Sequence, residues 1–531
     1  MSQVTNILKS VQLKIKQFTN IFSTSKRNQV YLFSSISILI VFTVYLWFGS
    51  FGLWTNLPTI TTYYDKLATA FQHGNLSLDE KPDPALLALE YPYDPDARAG
   101  IKVPTDFSFY NGKYYLYFGA VPALLLTVAK YFGFGIIGDQ YPVFIFISGT
   151  FIIQSLLIVT IWERFFRDIP AWTVPLTILF SGSISPFAWI LTQASFYEAA
   201  SASGQFFFLL GLFFIITAQN GNSISNKRFM MGGASWALAF SSRPTLALLI
   251  GFVILIMVII PVLRGYYKTK SVSKTIYTLA SIGLPLVLGI GIWGLYNWAR
   301  FDSFFETGFY YELAGPNLQK YNDQLFSPVY VLPNLYNYLF MAPSITDTFP
   351  FIRSVQGVGA SKFSFILLPE IYFTRGMTGI LYSTPFMLFA GIVLLPNIRK
   401  RSQGYENQDN DLFNRTVISL WGSFLIGLAT FVSYFWVETR FFLDFMPPLV
   451  LLSIIGFWQG YLFLLDKPMS RILYVAIAIG LIVISIMIGN LLALSAHRGG
   501  FKEFNPVLWQ YLYKDFDHVL LRKLFSLFLP K

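Results

Sequence analysis

The chain has no cysteine, three histidines and little charge: only 12% of its 531 residues are Asp, Glu, Lys or Arg. Without cysteine there is no disulfide, no thiolate metal site and no cysteine nucleophile. His73, His497 and His518 stand singly, which argues against a histidine-built metal centre. Soluble domains carry roughly 25% charged residues. Half that share over this length excludes a soluble enzyme, a disordered chain and a solenoid of polar repeats. What is present is apolar: 54% of residues are hydrophobic, 18% are aromatic, and mean hydropathy is +0.54. This composition predicts an all-α polytopic membrane protein.

A spanning helix takes about 20 mostly apolar residues. Runs of this kind are 30–54, 141–162, 172–191, 199–218, 275–298, 376–396, 417–436, 445–465 and 472–496. The longer stretch 229–263 has Arg243-Pro244 in its middle, and proline ends a helix, so it reads as a hairpin of two spans. The expectation is eleven spans, N-terminus inside and C-terminus outside. Segment 120–137 is apolar but short and broken by Gly133 and Gly135, and reads as a re-entrant or interfacial helix. That choice puts Arg164 and Arg167 inside, as the positive-inside rule favours. The net charge of +11 then belongs to orientation and lipid headgroups, not to nucleic acid. The expected parts are a cytoplasmic arm (1–29), a transmembrane domain (30–496) and an extracytoplasmic interfacial tail (497–531). The expected location is a bacterial inner membrane with the working face on the extracytoplasmic side.

Two outer segments, 55–140 after the first span and 301–375 after the seventh, are long, and ordered loops on a rigid scaffold carry function. The first opens with an amphipathic surface helix over Thr61–His73, apolar at 63, 64, 67, 68 and 71. Further on, 106–119 alternates around Asn111-Gly112, a hairpin pattern. Between them Pro92 and Pro95 hold Asp94, Asp96 and Arg98 in a short rigid segment beside Tyr91 and Tyr93. A carboxylate there suits a general base for an acceptor hydroxyl or amine, or a ligand for a divalent cation, Mg2+ or Mn2+. A structural salt bridge to Arg98 accounts for the same residues. Glu198, alone in an uncharged stretch before the fourth span, is the third acid expected to be catalytic. Arg243, Arg300 and Arg440, the last beside Glu438, fall at outer ends of spans. Each alone reads as a snorkelling anchor; three on one face make a phosphate or pyrophosphate site, because Arg binds phosphate through a bidentate fork.

On these residues the chain resembles the GT-C membrane glycosyltransferases, which use polyprenyl-phosphate sugar donors and include oligosaccharyl-, mannosyl- and aminoarabinose-transferring enzymes. The surface helix reads YYxxLAxAFxxGxL from Tyr63 to Leu76. A closer likeness is to bacterial membrane proteins reading NPYDPxxR, YNGKYYLYFGP and YNxxRFxSxxExG; the corresponding stretches here are 91–98, 110–120 and 296–308. The resemblance implies transfer of a sugar from a polyprenyl phosphate to a lipid, glycan or protein acceptor, with Glu198 similar to the family's second outer acid. Arg243, Arg300 and Arg440 would contact the donor phosphate, with Asp65, Arg98, Tyr93, Lys113 and Glu438 supporting the site. The family's acid just before the surface helix is replaced by Thr59-Ile60-Thr61-Thr62, so Asp94, Asp96 or Asp65 would have to serve the acceptor. A surface-polysaccharide polymerase or ligase, and a transporter or flippase of lipid-linked glycans, remain the alternatives.

Overall fold

A computed structural model describes residues 25–220, 223–359, 362–363, 365–396, 398, 407–496 and 500–516. Residues 1–24 of the expected arm, the basic run Arg399-Lys400-Arg401, His497, His518 and the tail beyond Phe516 lie outside the described residues. Among the described residues nine helices are long and apolar enough to cross a membrane, from Lys26–Gly49 to Pro468–Leu494, and the protein is a multi-pass, largely helical membrane protein. The other two of the eleven expected spans are shorter helices, Asn226–Ser242 of 17 residues and Pro385–Leu394 of 10.

The break expected inside 229–263 is real and local. Arg243 is extended (φ −145°, ψ 93°) between the helix ending at Ser242 and the turn starting at Pro244. A residue before proline is pushed out of the helical region by the ring's Cδ. The chain therefore reverses at Arg243, at the end of the bundle that carries the long loops. Thr439–Phe463 is the central helix, buried along its whole apolar window, whereas Val272–Phe301 is peripheral and mostly uncovered. A groove opens between that outlying helix and the body.

The first loop folds as expected. Its surface helix is Tyr63–Gln72, with Tyr64, Leu67 and Ala68 buried. Its hairpin pairs Ser108–Tyr110 with Lys113–Tyr115, and Asn111 and Gly112 both take positive φ (47° and 70°), as a two-residue primed turn requires. Val121–Tyr131, at 11 residues, is too short to span. The second loop locks onto the first. The Ser108 hydroxyl donates to the Gly308 carbonyl (2.8 Å), and the Leu313 amide donates to the Phe107 carbonyl (2.8 Å). The described part of the tail, including Pro506–Phe516, packs on the same end: Asn505 donates to the Phe51 carbonyl (3.0 Å) and Trp509 meets Phe349.

Candidate functional site

Two cavities meet at the loop-bearing end of the bundle. The larger, about 880 Å3, lies at the level of the membrane helices and is lined by the short helix Val121–Tyr131, the hairpin tip at Ser241–Thr245, and the peripheral helix from Gly289 to Arg300. Gly119 lets the first loop reach that tip: a Cβ there would lie 2.1 Å from the Ser241 carbonyl oxygen. Arg243, Arg300 and Arg440 all line this cavity. The smaller, about 570 Å3, lies among the loops and is lined by Asp106, Glu312, Glu370 and Arg375 amid aromatic rings. Tyr117, Phe309, Tyr434, Arg440 and Phe441 line both.

The three arginines differ in how their charge is met. Arg243 is held bidentately by Asp444 (2.6 and 3.2 Å). Arg440 lies 3.0 Å from Glu438, which also holds Arg375 at 3.2 Å, and its guanidinium stacks on Tyr197. Arg300 is buried and donates to the Leu116 carbonyl and Asn297 Oδ1, both at 2.8 Å, while its Nε has no hydrogen-bond partner. Among the described residues no carboxylate pairs with it; the Tyr296 ring lies against it at 3.9 Å. A buried cation without a counterion is costly, and an anion in the cavity would relieve that cost.

The loop-side cavity is built on a carboxyl pair that sequence reasoning missed. Asp106 stands before the hairpin with φ 59°, the left-handed region that Asp tolerates better than most residues, and accepts from the Tyr197 hydroxyl. Glu312 follows the turn Phe309–Tyr311 and is bridged backbone to backbone to Ser108, which brings it to Asp106. Glu312 is buried and hydrogen-bonded to both Asp106 and Tyr117. Burial first, and the adjacent Asp106 charge second, push its carboxyl well above the usual range. The sequence hinted only at Asp106, at the head of the hairpin pattern; nothing local marks Glu312.

Asp94 and Asp96, the first-choice catalytic carboxylates, line neither cavity. Asp94 accepts from the Asp96 amide (3.0 Å) in a local turn, and Asp96 is exposed. Arg98 makes no salt bridge to them; it is buried and donates to the Pro92 and Ala314 carbonyls, which pins this corner to the second loop. Tyr93 likewise donates to the Phe109 carbonyl (2.7 Å), and Lys113 is exposed on the hairpin. Asp65 is tied to Lys130 (2.7 Å) and the Ile137 amide (2.8 Å), fastening the surface helix to the short helix. Glu198 closes a capping box with Ser195 at the start of Phe196–Ala218 and adds its field at Arg440. At the start of the surface helix stands Asp139, which accepts from the Thr61 hydroxyl (2.6 Å) and the Tyr63 and Tyr64 amides (2.8 and 2.9 Å). Burial outweighs those bonds and raises its carboxyl to about 6.

A divalent cation does not fit these groups. Among the described residues no three Asp, Glu or His side chains are placed to hold one, and Asp106 and Glu312 are hydrogen-bonded to each other. Compared with known proteins, the chain matches no family model, no curated protein and no solved structure.

Proposed function

We propose that the chain is a membrane glycosyltransferase that moves a sugar from a polyprenyl-phosphate donor to an acceptor at the loop-bearing, extracytoplasmic face of a bacterial inner membrane. One observation carries the reading: an apolar cavity with three arginines and an aromatic cavity with a carboxyl pair share Arg440. The polyprenyl chain lies in the apolar groove beside Val272–Phe301, with the phosphate toward Arg300 and Arg440. The sugar sits at the junction by Tyr117 and Tyr434. Asp106 takes the proton of the acceptor hydroxyl as its oxygen attacks the anomeric carbon. The bond from that carbon to the phosphate oxygen breaks, and its electron pair leaves on the phosphate, stabilised by the guanidinium groups. Attack from the side opposite the leaving group inverts the anomeric centre.

The test is mass spectrometry of surface glycans and lipids in cells lacking the chain, complemented at matched expression with wild type, Asp106→Asn or Arg300→Met. A sugar mass that is lost, then restored by wild type and by neither variant, supports transfer at this site. Unchanged glycans with a lipid-linked precursor shifted between leaflets would replace this reading with transport, and a change only in glycan chain length would favour a polymerase or ligase.

A further inference from the structure

The loop-side cavity has a wall unlike that of the membrane-level groove. Tyr372, Phe373, Tyr434 and Trp436 present ring surface to it, and Phe373 is 43% exposed. Phe373–Thr374 and Trp436–Val437 pair as parallel strands, so Phe373 and Trp436 stand side by side with centroids 4.8 Å apart. Between these rings are set groups of both hydrogen-bonding kinds. Asp106 and Glu370 accept, while Arg375 and Arg440 only donate. Arg440 is itself held in place, its buried Nη1 3.0 Å from Glu438.

A ligand that satisfies such a wall has flat C–H faces for the rings and a periphery of groups that both donate and accept. A pyranose has both, since its axial hydrogens form apolar faces and each hydroxyl is donor and acceptor at once. A lipid acceptor would need a continuous apolar wall, which the neighbouring groove has and this cavity lacks. A peptide acceptor bound as an added strand would need a free edge of some length; the strands here are two residues each and already paired. The volume, about 570 Å3, is within the usual range for small-ligand sites and suits one or two sugar rings.

We infer that this cavity binds the terminal sugar of a glycan acceptor, with Phe373 and Trp436 as its stacking platform. The inference rests on the transferase reading and names the acceptor class left open there. The test uses the purified full chain in lipid nanodiscs without donor. Saturation-transfer NMR is recorded with methyl glucoside, methyl galactoside, lactose and di-N-acetylchitobiose, and with an Asn-Ala-Thr tripeptide and dihexanoyl phosphatidylglycerol as competing classes. At least one saccharide is expected to saturate, and Phe373→Ala and Trp436→Ala are expected to weaken it at least tenfold while Asp96→Asn leaves it unchanged. Native mass spectrometry of decaprenyl phosphate binding on the same samples shows that each variant keeps the membrane-level site. No saturable saccharide, saturation by the peptide or the lipid alone, or saccharide binding indifferent to both aromatic substitutions overturns the inference. Decaprenyl phosphate bound without any saccharide would overturn the acceptor class alone, whereas saccharide bound without decaprenyl phosphate would count against the donor, and so against the transferase reading.

Discussion

The two cavities handle charge in opposite ways. The membrane-level one sets three guanidinium groups in an apolar wall whose lining holds no acid; the loop-side one sets Asp106, Glu312 and Glu370 together with Arg375 and Arg440 among aromatic rings. Arg243, which lines the membrane-level cavity, is clasped by Asp444 at 2.6 Å. Arg300 and Asp106 line different cavities, and Arg440, 3.0 Å from Glu438, lines both. A base and a phosphate-binding cation are each useful only while unpaired with the other. In the proposed transfer, placing the two in different cavities separates the acceptor's base from the donor's phosphate, and the low dielectric of a membrane-level site enlarges what each contributes.

The sharpest way to break this contrast is at the carboxyl pair. Asp106→Asn should lower the transfer rate by about 10^2 to 10^4, the usual worth of a general base, and leave decaprenyl phosphate binding intact. Glu312→Gln, which mimics the protonated partner, should cost no more than about tenfold; equal losses for both would show that the pair does not divide the roles.

The paired arginine offers the next largest effect, on stability. Removing one partner of a buried ion pair costs about 3–5 kcal/mol. Asp444→Leu or Arg243→Met alone should therefore lower the melting temperature in detergent clearly more than the double replacement does. A third effect depends on pH. The Asp139 carboxyl titrates at about 6 in the fold, above its value in an unfolded chain of about 4, so the native state holds this proton more tightly. Its stabilising contribution is complete below pH about 4 and is lost as pH rises through about 6, a change on the order of 3 kcal/mol. Thermal melts across that window should fall for wild type and stay flatter for Asp139→Asn. Because Asp139 caps the surface helix, and Phe71 at its end with Gly74, Asn75 and Leu76 just beyond it line only the membrane-level cavity, saccharide binding should not follow this titration. The smallest effect is expected at Asp94→Asn, less than twofold on transfer, since its neighbours keep the turn; a loss of tenfold or more would return the Asp94–Arg98 corner to the reaction.

Much of the fold was legible because membrane helices and turns are local statements. Apolar runs mark the helices, Arg243-Pro244 marks a reversal, and Asn111-Gly112 marks a hairpin. The three arginines were legible for a related reason: a charge at the end of an apolar run stands out, and all three line one cavity. The acids were not. Asp94, Asp96 and Arg98 drew attention because two prolines crowd them together, yet their bonds serve a turn and a loop clasp. Asp106 and Glu312 lie far apart in the chain and acquire their chemistry only when Ser108 meets Gly308 and Glu312 across two loops. Asp65 likewise meets its partner from outside its own element, since Lys130 belongs to another helix of the same loop.

The clasp between Ser108 and Gly308 joins residues 200 positions apart. At synthesis rates of about 5–20 residues per second, roughly ten to forty seconds pass between the emergence of the two halves. Throughout that interval the helices between them are being made, with Tyr197, which donates to Asp106, among them, while Glu312 has yet to follow. The loop-side cavity thus cannot close until the second loop has been made and has crossed to join the first.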